Sequence, residues 1–142
     1  MIKKHIYHTH VKRYLLFFTK VRGRYFSMKN SEAVQEAHKT AIEHGWWETA
    51  PEFGTLIALC HSELSEALEE YRYGRSPEEI RKQHTTSPLI PGKMEGIPSE
   101  LADTVIRIFD MCGYYGIDLE YAILQKMQYN KSRPYRHGGK VI

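Results

Sequence analysis

Two acidic pairs dominate the chemistry that this 142-residue chain can offer. They are Glu63-Leu64-Ser65-Glu66 and Glu100-Leu101-Ala102-Asp103, with 33 residues between them. In a helix, side chains three residues apart lie on one face, one turn from each other. Two such helices turned face to face would bring four carboxylates together. Uncompensated, those charges repel strongly inside a bundle. A bound divalent cation removes the conflict, and Mg²⁺ takes oxygen ligands. Glu70 extends the set, two turns beyond Glu63 on the same side. The same spacing also decorates solvated helix faces, so periodicity alone leaves both readings open. Glu63 and Glu66 share their flank with Leu56 and Leu59, which favours a covered flank. Glu100 and Asp103 share theirs with Arg107 and Asp110, which reads equally well as a wet face.

The elements that must position these acids read as helices. Asn30 or Ser31 caps a first helix over residues 30–44, and Gly45 stops it. Trp46-Trp47 follows in the link. Pro51 opens a second, long helix that Gly74 ends. Its core stripe is Ile57, Cys60, Leu64, Ala67, Leu68 and Tyr71, at a 3.6-residue period. Ser76-Pro77-Glu78-Glu79 combines a cap, a first-turn proline and two acids, which predicts a short helix over 76–83. Residues 84–98 are rich in proline and glycine and read as a loop. Ser99 caps a third main helix to residue 115, with Leu101, Val105, Ile108, Phe109 and Cys112 inward. Gly116 breaks it, and Asp118 caps a fourth helix to residue 132. The tail, 135–142, reads as irregular. No strand is expected. The implied fold class is all-α, a four-helix bundle.

Length and composition suggest one domain with a modest core, 42% hydrophobic and 26% charged. No apolar run approaches the length of a membrane span. Cys60 and Cys112 sit inside apolar helical patterns and read as reduced core thiols of a cytoplasmic protein. The net charge of +3 is unevenly spread. Residues 1–29 carry eight Lys/Arg and no Asp/Glu, so the remainder carries a net charge of −5. Residues 1–27 therefore read as a basic extension outside the fold, and residues 28–142 as the domain. The extension is open to three readings: a targeting peptide, a segment touching nucleic acid or a membrane surface, or sequence upstream of a working start at Met28. The last is preferred.

The acidic pairs and their flanks resemble the signature of the MazG-like family of all-α nucleotide pyrophosphohydrolases. That signature places two Glu-x-x-Glu/Asp pairs on consecutive long helices, here Glu63-x-x-Glu66 and Glu100-x-x-Asp103. Phe53-Gly54, His61-Ser62-Glu63-Leu64-Ser65-Glu66-Ala67-Leu68-Glu69 and Glu100-Leu101-Ala102-Asp103-Thr104-Val105-Ile106-Arg107 are similar to the family text. So is the ending, with Asn130-Lys131 and Arg133-Pro134-Tyr135-Arg136-His137-Gly138. The likeness spans residues 30–140. Two departures are the long gap between the pairs and the basic extension.

The resemblance implies a Mg²⁺-dependent enzyme, with Mn²⁺ as a substitute ion, that cleaves a (d)NTP to (d)NMP and pyrophosphate in nucleotide-pool house-cleaning. Glu63, Glu66, Glu100 and Asp103 would hold the metal, and Glu66 or Glu70 would take the proton of the attacking water. Lys126, Asn130, Lys131 and Arg133 would clamp the phosphates, since no acid follows Glu120 and this end is electropositive. Trp46 and Trp47 would divide base stacking and helix-junction packing between them. His38 and His61 lie on helices near this region. A bundle this small implies a homodimer or homotetramer with the site near a subunit interface. Two alternatives remain: hydrolysis of another phosphoanhydride, such as a phosphoribosyl-nucleotide, and a non-catalytic helical binding or regulatory module.

Overall fold

The structure, a computed structural model, describes residues 16–21, 24–84 and 92–136. The fold is all-α in its main body. Four helices carry it: α1 (Asn30–Glu43), α2 (Phe53–Arg72), α3 (Ile97–Tyr115) and α4 (Leu119–Ser132). Among the described residues, no helix is long and apolar enough to cross a membrane.

Their ends follow local chemistry. Gly116 terminates α3 in the left-handed region at φ 63°, and its N–H bonds to the Cys112 carbonyl. Asp118 caps α4 by accepting the Tyr121 N–H at 2.9 Å. The α1 cap differs from expectation. Lys29 is the cap residue, its N–H held by the Glu32 carboxylate at 2.9 Å, and Asn30 is already helical and buried. The third helix also begins three residues earlier than Ser99 as its cap predicts, with Gly96 as the cap instead. Pro98 sits in its first turn, where a missing N–H costs nothing.

Two short antiparallel ladders replace stretches expected to lack strands. Strand β1 (Leu16–Val21) pairs with β2 (Arg24–Lys29), and β2 runs directly into α1. The boundary drawn between residues 27 and 28 thus falls inside β2, while residues 1–15 lie outside the described residues. Strand β3 (Arg81–Lys82) pairs with β4 (Met94–Glu95), so the helix predicted over 76–83 does not form. Ser76 closes one turn through its carbonyl and the Glu79 N–H, at 3.0 Å. Beyond it, Gln83 donates its backbone N–H to Lys93 and its side-chain amide to Glu95. The cap signal was local, whereas the ladder partner comes from across the loop.

Helix α3 is central, packed between α1 and α2. Gly113 is what lets α1 approach: a Cβ there would lie 2.5 Å from the His38 Cβ. The small core joins Leu56, Cys60 and Met111, with Trp47 and Ile108 against it. Helix α2 is rotated from its apolar stripe. It buries Leu56, Cys60, Glu63 and Ala67, whereas Ile57, Leu64, Leu68 and Tyr71 of the expected core stripe are exposed. On α3, Phe109 and Cys112 are buried as expected, but Leu101 and Val105 are exposed. Helix α4 packs on α1 and buries no residue.

Candidate metal centre and adjoining cavity

The rotation of α2 turns Glu63 into its contact with α3. On α3, Glu100, Asp103, Arg107 and Asp110 recur at helical spacing on one face. Where the two helices pack, one carboxylate oxygen from each of Glu63, Glu100 and Asp103 lies within 4.8 Å of the others. Glu63 and Glu100 are only 6% and 8% exposed, and Asp103 is half-buried. The wet face that periodicity allowed for Glu100 is therefore a buried one.

Burial, and after it the charges of Glu66 and Asp103, pushes the Glu100 carboxyl above its ordinary value, against an opposing pull from Lys93. Among the described residues, nothing donates a hydrogen bond to the Glu100 carboxylate. Thr104 bonds only to its backbone carbonyl, at 3.0 Å. The residue is buried, but its carboxylate oxygens keep some solvent contact: among the described residues only the Asn30 side-chain amide is sealed from solvent without a partner. A divalent cation, a hard ion that takes oxygen ligands, suits a carboxyl in this position.

The remaining expected carboxylates divide. Glu66 is exposed and outside the triad, yet close enough for its charge to act on Glu100. Glu70 is engaged elsewhere, accepting from Arg81 Nη2 at 2.6 Å. That pair, with Glu79 as a second acceptor, fastens the start of β3 to α2. Arg107 pairs with Glu63: its Nε donates to Oε1 at 2.7 Å, and Nη2 lies 2.6 Å from the same oxygen.

Beside the triad lies a cavity of about 740 Å³ between α1 and the α2–α3 pair. Its walls are mainly apolar, from Ala37, Leu56, Leu59, Ile106 and Phe109, and Glu63, Asp103 and Arg107 stand on its border. Both tryptophans line it. Trp46 is 70% exposed. Trp47 is half-buried, stacked on Tyr114 at 4.1 Å between centroids, with its indole N–H donated to Asp110 Oδ1 at 2.8 Å. His38 Nδ1 meets the same oxygen at 2.8 Å. Asp110 thereby ties a wall of the cavity to both α1 and the α1–α2 link. His61 is exposed.

The expected phosphate clamp is not gathered here. Lys126, Asn130 and Lys131 are exposed, Arg133 is half-buried, and none of the four lines the cavity. Instead Lys126 and Arg133 stand over the Tyr129 ring, at 5.4 and 5.9 Å. Residues 137–142 of the family-like ending lie outside the described residues.

Arg107, Asp110 and Lys93 were not singled out from the sequence. For the first two a signal existed: Glu100, Asp103, Arg107 and Asp110 form one unbroken charged stripe. Lys93 follows a proline-glycine step and carries no periodic signal. No protein-family model, no curated protein and no solved structure matches this chain.

Proposed function

We propose that this protein is a Mg²⁺-dependent nucleoside triphosphate pyrophosphohydrolase of the MazG-like kind, acting in the cytoplasm on a standard or modified (d)NTP. The observation that carries the reading is the gathering of Glu63, Glu100 and Asp103 where α2 packs on α3, with Glu63 and Asp103 lining a nucleotide-sized cavity. A solvated decorative pair has no reason to be enclosed in this way.

In this reading Glu63, Glu100 and Asp103 hold the ion, with Mn²⁺ as a substitute. The bound ion supplies charge neutralisation at the phosphates and acidifies a water. Glu66, exposed at the edge of the triad, accepts the proton of the water that attacks the α-phosphorus. Glu70 is held by Arg81 and leaves that role to Glu66. The base enters the apolar cavity against Trp47, with Trp46 at its border. Pyrophosphate and the monophosphate are the products.

The exposed stripe of Ile57, Leu64, Leu68 and Tyr71 on α2, with Leu101 and Val105 on α3, supports a homo-oligomer, a dimer or tetramer that covers it. The basic α4 residues would then serve phosphate binding only if assembly brings them to a site.

The test is a nucleotide panel that includes a phosphoribosyl-nucleotide, incubated with the protein and Mg²⁺, with products resolved by ³¹P NMR. Pyrophosphate and monophosphate are expected. Orthophosphate without pyrophosphate overturns the reaction class. Absence of metal-dependent turnover on the whole panel favours a non-catalytic helical module.

A further inference from the structure

Arg107 connects the acid cluster to the cavity. Its Nε donates to Glu63 Oε1 at 2.7 Å and its Nη2 lies 2.6 Å from the same oxygen, so both sides of the fork converge on one oxygen. The planar fork of arginine matches a carboxylate best when it spans both oxygens. Glu63 is nearly enclosed, at 8% side-chain exposure, whereas Arg107 is 38% exposed and borders the cavity. Among the described residues lining that cavity, Arg107 is the one lysine or arginine.

We propose that Arg107 is a two-position residue, a counter-ion of Glu63 in the metal-free protein and a phosphate-binding residue in the loaded one. The inference rests on the triad being a divalent-cation site. In the metal-free protein the guanidinium balances part of the charge that Glu63, Glu66, Glu100 and Asp103 accumulate. It gives up Glu63 to a divalent cation, because two positive centres on one shielded carboxylate repel strongly. Its exposed side then leads into the cavity, where phosphate oxygens accept charge-assisted bonds from both arms of the fork. Arg107 thereby couples metal loading to capture of the triphosphate. A side chain that merely props Glu63 would have the opposite effect on metal binding, since a supporting residue strengthens the site it orients.

The experiment measures Mn²⁺ binding by electron paramagnetic resonance in nucleotide-free protein, for wild type, Arg107→Gln and Arg107→Lys. Binding of an α,β-imido deoxynucleoside triphosphate to each Mn²⁺-loaded protein follows by calorimetry. Arg107→Gln is expected to bind Mn²⁺ about tenfold more tightly and the nucleotide analogue about tenfold more weakly. Arg107→Lys keeps the charge without the fork and is expected to show both shifts at smaller size. It carries the test if the glutamine variant fails to fold. Equal or weaker Mn²⁺ binding in a folded variant overturns the proposal, as does undiminished affinity for the analogue. Wild type that binds no Mn²⁺ overturns the metal reading itself, a result distinct from either.

Discussion

The α2–α3 pair and α4 both carry charged residues at helical spacing, and the fold treats them in opposite ways. On α2 and α3 the charges of Glu63, Glu100 and Asp103 are drawn into a helix contact, the first two nearly enclosed and Asp103 half-buried. On α4, Lys126, Asn130 and Lys131 face solvent, with Lys126 and Arg133 resting on Tyr129. Exposed lysines cost the fold almost nothing, so their presence says little about chemistry. A carboxylate drawn into a helix contact gives up part of its hydration, a cost that exposed lysines do not carry. Burial of charge, rather than charge itself, is what separates the candidate site from the basic arm.

The comparison breaks most directly at the triad. Glu100→Gln and Asp103→Asn should each lower Mg²⁺-dependent turnover by more than about 100-fold, beyond the loss that residues behind a metal ligand cause. Steady-state kinetics on the best substrate of the panel checks this. Activity near wild type in both would return the pair to the class of decoration.

A smaller effect belongs to the polar link across α1 and α3. Asp110→Ala removes the acceptor shared by His38 and Trp47. It should destabilise the fold by about 2–3 kcal/mol, read from urea denaturation, because a half-buried indole N–H loses its partner. Helicity should survive, since the core of Leu56, Cys60 and Met111 does not depend on it.

A pH series sharpens the electrostatic half of the contrast. Burial, then the charges of Glu66 and Asp103, raises the Glu100 carboxyl above its unfolded value. The stability that this group contributes is fully present below the unfolded pKa and is lost as pH rises through the folded one. Without metal, Glu100→Gln should therefore gain in melting temperature over wild type as pH climbs through that window, and Mg²⁺ should cancel the gain by stabilising wild type. A constant gap across the series would count against the cause assigned here.

The smallest expected effect lies on α4. Lys126→Gln and Lys131→Gln should each change turnover by less than about threefold, the range of ordinary surface substitutions. A loss comparable to that of Glu100→Gln would mean that the arm reaches a site after all, which within this chain's own cavity it does not.

The helices were largely legible because their signals are local. Gly74, Gly116 and Asp118 end or cap helices where their chemistry dictates, within a residue or two. The pairing of β1 with β2 runs against the expectation of no strand, although Phe17, Phe18, Thr19, Val21, Tyr25 and Phe26 are strand-favouring types. The helix expected over 76–83 failed because a sound cap was outcompeted by pairing with residues 94–95.

By itself the sequence determined that the acids fall in i,i+3 pairs on two long helices. Tertiary structure alone decided which face of each helix is covered. Helix α2 carries two adjacent stripes, one apolar and one with Glu63, and periodicity weights the apolar one. Packing on α3 instead covers the stripe of Leu56, Cys60, Glu63 and Ala67. The angle at which a helix presents itself is set by the shape of the neighbour it packs on, and for α2 that neighbour is α3. That rotation is why Glu63 meets Glu100 and Asp103, and why its carboxylate comes within reach of Arg107 at the border of the cavity.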